Sequence, residues 1–449
     1  MSENKKSGLI TNVALLGVVQ AANYIMPLIS VPIISRIIGP EKFGIINYAA
    51  SFITYFTLLI GYGFDFTAIR ILSKDPSNEI LRSQVFSKVF AAQCILFCIS
   101  TFFFIICLFL VPTLAVEKKV AVFSFFICIA SVLTQNWLFQ AMQDLSKVAL
   151  MNFTGKLLFT VAVLMAIHKQ TDYLWQPFLT SIVQILIAIV SFIWAYKTYN
   201  IKIIRVTGRE IYKLLWDEKI VFFSIIVITL YTTTNVVMLG LMKDQTEVGF
   251  YTAAQKLILI ITTVISMPLS QALYPYIGSA LAEDQEKGIT LVQKIVPFVI
   301  SLMGIVALCT CFIGPMVLRW FYGPAFLPSV PALQIMAFVP FVIVMANVFG
   351  VQIMLNLGMD RAFLKITSCG GVIGLILNYI MTKYFGYVGT AWNWLIVEIF
   401  ITTACYLTLR YNGINPVDIR QFSTKNISAQ LKPFVNKIKN RQKSEKKVI

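Results

Sequence analysis

Residues 86–113 read FSKVFAAQCILFCISTFFFIICLFLVPT, and Lys88 is the one charged side chain in these 28 positions. A membrane-spanning helix needs about 20 consecutive apolar residues, and a lysine near its end reaches the interface along its own aliphatic stem. This stretch therefore reads as a transmembrane helix. Eleven comparable runs flank it, at 9–33, 44–66, 120–141, 148–167, 175–195, 220–242, 248–272, 294–318, 331–355, 365–384 and 388–409. The fifth, eighth and eleventh of the twelve are the weakest, because they carry Lys156, Lys256 and a poor apolar face. Over the whole chain 58% of residues are hydrophobic, 13% are charged, and mean hydropathy is +0.79. The charges gather between the runs. The expectation is an all-α integral membrane protein of about twelve transmembrane helices. That limits function to moving, anchoring or modifying something at a membrane.

The first run follows Lys5 and Lys6, is too long for a signal-peptide core and lacks a small-residue cleavage site. It reads as a retained first span. The net charge of +17 would suit nucleic acid if it were clustered on a soluble face. Its placement says otherwise, and no nucleic-acid partner is expected. With the amino terminus inside, and with Lys88, Lys294, Lys365 and Lys383 at span ends counted with the adjoining loops, 27 of the 37 Lys and Arg are cytoplasmic, 8 are outside, and Lys156 and Lys256, deep within spans, complete the count. By the positive-inside rule both termini are expected in the cytoplasm. All eight cysteines lie in apolar runs with no CxxC pair, so they read as small buried hydrophobes rather than disulfides or metal ligands. The single histidine, His168, has no clustered partner and reads as a surface residue.

The longest polar interruption, 196–219, holds six Lys and Arg and sits near the midpoint. It divides the chain into an amino-terminal lobe (1–195), a basic cytoplasmic linker (196–219), a carboxy-terminal lobe (220–409) and a basic cytoplasmic tail (410–449). A weak repeat supports the division. Phe43-Gly44-Ile45-Ile46-Asn47-Tyr48-Ala49-Ala50 opens span 2, and Val248-Gly249-Phe250-Tyr251-Thr252-Ala253-Ala254 opens span 8. Gln140–Asp144 and Asn356–Asp360 echo each other after spans 4 and 10. Six spans per half makes the repeat parallel, so the two six-helix lobes are expected to be related by a pseudo-two-fold along the membrane normal. Pro27 and Pro32 are expected to break span 1, and Pro331 and Pro340 to interrupt span 10.

The chain has no GxxxxGK[ST], HExxH or GxSxG motif and no Cys/His cluster. No outside loop exceeds about a dozen residues, too short for a catalytic domain. No catalytic residue, metal site or cofactor is expected. The positive signal is ionisable side chains inside spans, each of which costs several kcal/mol unless it faces water or a partner. Lys156 and Lys256 lie about two turns into spans 5 and 8, Glu398 lies midway through span 12, and Asp65 lies near the inner end of span 2. Arg36 and Arg70 sit at span ends, where snorkelling explains them equally well. Cations facing a cavity would replace the lost hydration of an anionic cargo. A carboxylate there would take up H⁺ or Na⁺. A purely structural pairing of Glu398 with one of the lysines is the competing reading.

These residues resemble the Wzx-type O-antigen and polysaccharide flippases, the polysaccharide transporter branch of the multidrug/oligosaccharidyl-lipid/polysaccharide exporter superfamily. The stretch Pro32-Ile33-Ile34-Ser35-Arg36-Ile37-Ile38-Gly39-Pro40-Glu41-Lys42-Phe43-Gly44 carries most of the likeness. Gly61-Tyr62-Gly63-Phe64, Arg70, the Val248–Leu257 stretch, Gly350–Gly358 and Phe385–Ala391 with Glu398 extend it over nearly the whole chain. The resemblance implies two six-helix lobes around a cation-lined cavity. It implies a secondary transporter in the bacterial inner membrane that moves undecaprenyl-pyrophosphate-linked oligosaccharide for O-antigen or other surface polysaccharide synthesis. Its further partners would be membrane lipids, H⁺ or Na⁺ as coupling ion, a polysaccharide polymerase and a chain-length regulator. On this reading Lys256, Lys156, Arg36 and Arg70 bind the pyrophosphate, and Glu398 and Asp65 couple transport to an ion gradient. A drug or cation exporter of the same superfamily and a non-transporting scaffold for polysaccharide enzymes remain the alternatives.

Overall fold

The computed structural model describes residues 3–422, with side chains from Met26 onward apart from a few positions between 224 and 272. Among the described residues every regular element is helical. They are α1 (Glu3–Gly61), α2 (Phe64–Leu72), α3 (Glu79–Leu110), α4 (Pro112–Val116), α5 (Lys118–Phe125), α6 (Ile127–Leu133), α7 (Asn136–Ala141), α8 (Leu145–Ala166), α9 (Trp175–Thr198), α10 (Gly208–Met242), α11 (Gln245–Ile261), α12 (Met267–Glu283), α13 (Gln285–Tyr322), α14 (Val330–Met336), α15 (Val339–Ala346) and α16 (Asp360–Tyr411). Nine described stretches are long and apolar enough to cross a membrane, and two of these, Met26–Leu72 and Asp360–Tyr411, have double length. With α10 they make twelve crossings.

The double-length helices are each divided at a single glycine. Gly39 (φ 75°, ψ 174°) divides α1, and Gly386 (φ 57°, ψ −141°) divides α16. Both conformations are open to glycine and strained for other residues. Pro27 and Pro32 do not break span 1. The helix runs through them, because a membrane helix re-satisfies the freed backbone groups locally. Pro40 directly follows the Gly39 kink, where its fixed φ suits the first turn of a new helix. Span 10 is interrupted as expected: Pro331 opens α14, Pro340 opens α15, and residues 337–338 between them form a turn. Two π-helical stretches, Thr262–Ser266 and Asn347–Leu355, occur in spans 8 and 10.

The polarity of packing follows from an apolar solvent. Helix α3 exposes Ile95, Ile99, Phe102, Phe103 and Phe109 and buries Ser87, Ala92, Gln93 and Ser100. The cysteines follow the same inversion. Only Cys128 and Cys405 are buried, while Cys98, Cys309 and Cys369 lie exposed, because an apolar side chain gains as much from lipid as from the interior.

The chain forms two compact units. The first runs to Thr252 and includes Arg319–Phe326; the second holds Ala253–Leu318 and the chain from Leu327. The first unit's core gathers Phe64, Phe86, Trp137, Phe139 and Tyr199, and the second's gathers Val296, Met303, Ile353 and Cys405. Within the first unit the two glycines paired by the sequence repeat lie against each other's approach segments. A Cβ on Gly44 would overlap the Gln245 carbonyl and crowd the Gly249 amide nitrogen, and a Cβ on Gly249 would overlap the Pro40 carbonyl.

Candidate functional site

In the first unit the chain turns sharply after α1. Tyr62 (φ 46°) and Gly63 (φ 85°) both adopt left-handed conformations. Tyr62 is held there by stacking on Phe222, with ring centroids 4.1 Å apart, and by donating to the Leu215 carbonyl at 3.1 Å. The turn starts α2 and places Asp65 in its first turn. Span 4 is broken at the same place. Helix α6 ends at Leu133, α7 begins at Asn136, and Thr134 (ψ 109°) and Gln135 (ψ 52°) leave the helical conformation.

Gln135 bridges this break. It is fully buried; its Nε2 donates to Gln93 Oε1 at 3.1 Å and to the Val132 carbonyl at 2.7 Å. Its Oε1 accepts from Trp137 Nε1 at 2.7 Å. Beside the break lies a half-open chamber of about 390 Å³, lined by Thr57, Asp65, Gln93, Ser131, Asn136 and Gln184 among others. Unwound backbone at membrane depth occurs where protein buries it or where it lines a watery cavity. The chamber and the broken helix were missed in the sequence, although the polar triplet Thr134-Gln135-Asn136 inside an apolar run was the available signal.

The expected cations lie on four separate helices, α1, α2, α8 and α11. Arg36 is exposed near the Gly39 kink, where its guanidinium donates to the Trp320 carbonyl and its stem packs on Gly323. Arg70 occupies the last turn of α2. There it faces Glu218 on α10: burial pushes the Glu218 carboxyl up, and the Arg70 charge partly opposes this. Pro40 and Gly61 bound the intervening helix, about 32 Å long at 1.5 Å per residue, so Arg36 and Arg70 flank its opposite ends, as their places at the span ends led one to expect. Lys156 is half-buried on α8, and Lys256 is half-buried on α11 in the second unit. Each lies eleven residues into its helix, about 16 Å along the axis.

Glu398 belongs to the second unit. It is 6% exposed on the second half of α16. Thr402, one turn further on and therefore on the same face, donates to the Val342 carbonyl of α15 at 3.1 Å. Toward the Gly386 bend, α16 carries a polar set in which Thr382 Oγ1 donates to Asn378 Oδ1 and meets Thr390 Oγ1, both at 2.8 Å.

Where α7, α8 and α9 end or begin, Asp144 is held by Lys147 Nζ at 2.8 Å and by the Tyr199 hydroxyl at 2.5 Å. Burial works to raise the Asp144 carboxyl, and these hydrogen bonds with the Lys147 charge outweigh it, so it sits below its ordinary value. This cluster is self-satisfied. It secures the helix ends rather than offering a ligand site.

The chain resembles known proteins along most of its length. Residues 9–281 match the family described as "Polysaccharide biosynthesis protein". A protein of Escherichia coli (strain K12) named "Putative O-antigen transporter" is 27% identical over 415 residues, covering 92% of this chain and 99% of the relative. A protein of the same name from Shigella dysenteriae is 23% identical over 397 residues, covering 87% and 97%. Among solved structures, the lipid II flippase MurJ in an inward closed conformation superposes with a TM-score of 0.70 at 14% identity, covering 95% of this chain and 93% of that one. An inward-facing MATE-family multidrug transporter gives 0.69 at 15% identity, covering 87% and 94%. The chain belongs to the polysaccharide biosynthesis protein family, and it is an all-helical, multi-pass membrane protein with the fold of these flippases and transporters.

Proposed function

We propose that the protein is a secondary transporter that flips undecaprenyl-pyrophosphate-linked oligosaccharide across the bacterial cytoplasmic membrane for surface polysaccharide synthesis. Both termini would lie in the cytoplasm, with 1–195 and 220–409 acting as the two lobes. The relatives' names and the family support transport in polysaccharide synthesis. The observation that carries the cargo class is the spread of cations through the depth of the membrane helices. Within the first unit, Arg36 and Arg70 at the two ends of the helix between them and Lys156 about 16 Å into α8 would offer a pyrophosphate successive partners rather than one fixed site, and Lys256, equally deep in α11, would do so in the second unit. Glu398 and Asp65 are the carboxylates proposed for coupling to H⁺ or Na⁺.

The decisive variant is Lys256→Ala. Surface polysaccharide should be lost while protein level stays normal, and lipid-linked oligosaccharide should accumulate on the cytoplasmic side. Lys256→Arg should retain part of the activity, because charge matters more than shape at a diffuse phosphate site. Normal polysaccharide in Lys256→Ala would reject the assignment.

A further inference from the structure

We infer that the chamber beside Asp65 binds a small inorganic monovalent cation such as Na⁺, together with part of its water shell. The site would be made by the Asp65 carboxylate and the neutral oxygens of Thr57, Gln93, Ser131, Asn136 and Gln184. This names the ion for one of the two carboxylates proposed above, and its role in transport rests on that reading. Binding itself does not.

Charge comes first. An ionised carboxylate within a membrane bundle needs a counter-charge or water. The residues lining this chamber include no Lys, Arg or His. Asp65 stands in the first turn of α2, whose N-terminal dipole favours the anion. The neighbouring Arg70 is five residues further on, in the last turn of α2, and engages Glu218 electrostatically. The chamber therefore presents one negative charge among hydroxyls and amides. Hard divalent cations take six to eight oxygens, commonly with several carboxylates. A single carboxylate with neutral oxygens matches a single positive charge.

Size decides how the ion is held. At roughly 30 Å³ per molecule, 390 Å³ is room for about a dozen waters. An entering ion need not shed its whole hydration shell, so Na⁺ and K⁺ should be discriminated weakly. Glu398 differs: at 6% exposure, on a helix whose Val397 and Ile401 are core residues, it leaves room for a proton rather than a hydrated ion.

The break in span 4 links the chamber to a built-in reporter. Gln93 lines the chamber, accepts from Gln135, and Gln135 accepts from the indole of the buried Trp137. An ion that recruits the Gln93 carbonyl oxygen would shift this relay and the polarity around Trp137.

The test uses the purified full-length protein in nanodiscs, without any lipid-linked substrate. NaCl replaces N-methyl-D-glucamine chloride at constant ionic strength and pH while tryptophan emission is followed. A saturable change is expected. It should disappear in Trp137→Phe, and its midpoint should rise at least tenfold in Asp65→Asn. Should Asp65→Asn fail to fold, Thr57→Val and Gln184→Leu keep the carboxylate and should each raise the midpoint severalfold. Persistence of the signal in Trp137→Phe would overturn the proposal. So would midpoints unmoved by the chamber variants. Emission that follows pH at fixed Na⁺ but ignores Na⁺ would overturn it in favour of a proton site, and emission that answers to millimolar hexoses alone would overturn it in favour of a sugar site. Failure of the flippase reading would leave all these readouts unaffected.

Discussion

Adding one methyl group at Gly249 is the sharpest perturbation that the structure offers. Gly249 lies within α11, where alanine is intrinsically better than glycine by about 1 kcal/mol. Propensity alone therefore predicts a gain. Packing predicts the opposite, because a Cβ there would overlap the Pro40 carbonyl oxygen and carbon. That neighbour is backbone and cannot rotate away, so the two segments must separate. Overpacking of this kind costs about 1–3 kcal/mol, and more where the obstacle is rigid. The net expectation is a loss of about 2 kcal/mol. At roughly 2–4 °C per kcal/mol for chains of a few hundred residues, that is about 4–8 °C in thermal stability. Gly44→Ala should behave alike, since its Cβ would overlap the Gln245 carbonyl. The double variant should cost less than the sum, because the first separation makes room for the second methyl. Gly304→Ala is the control: it lies inside α13 with nothing within 4 Å of the new Cβ, and it should be neutral or stabilising. The assay is the temperature at which half of the detergent-purified protein remains monodisperse by size-exclusion chromatography. If Gly249→Ala tracks Gly304→Ala, the close approach of the two glycine segments is refuted.

In proteoliposomes Glu398→Gln should fold to parental levels and lose the response of transport to an imposed pH step, whereas a response equal to the parent's would remove Glu398 from coupling. A structural Glu398–lysine pair would instead show as low folded protein, rescued when the lysine is also removed. A reporter active only outside the cytoplasm, fused after Ile449, should be silent, and activity there would reverse the proposed topology. Glu210 at the start of α10 accepts from the Thr207 amide and hydroxyl and from Lys88 of α3 at 3.1 Å, which holds its carboxyl at about 2 against an ordinary 4.5. A depressed folded value stabilises above the unfolded value and is lost as pH falls. The stability gap between parent and Glu210→Gln should therefore be present at pH 7 and close as pH drops from about 4.5 toward 2; a gap independent of pH would contradict it.

Twelve crossings were legible because hydrocarbon imposes a length and composition that any reader can count, as residues 86–113 illustrate. Gly44 and Gly249 stood out in the sequence as paired by a weak repeat, but that each lies against the other's approach segment is decided by packing. The expected break at Pro27 and Pro32 was absent because membrane helices accommodate proline, while the real bends fell at Gly39 and Gly386, where a positive φ is required. The titratable residues could be named from their cost in an apolar run, and the span order alone set Arg36 and Arg70 at opposite ends of span 2; what surrounds each of them could not be read there. Asp65 faces a chamber whose other walls come from α3, span 4 and α9, well over a hundred residues along the chain at the farthest. Local sequence sets which groups are costly in lipid; which of them meet, and how much water stands between them, depends on helices distant in sequence and was decided by the tertiary structure alone.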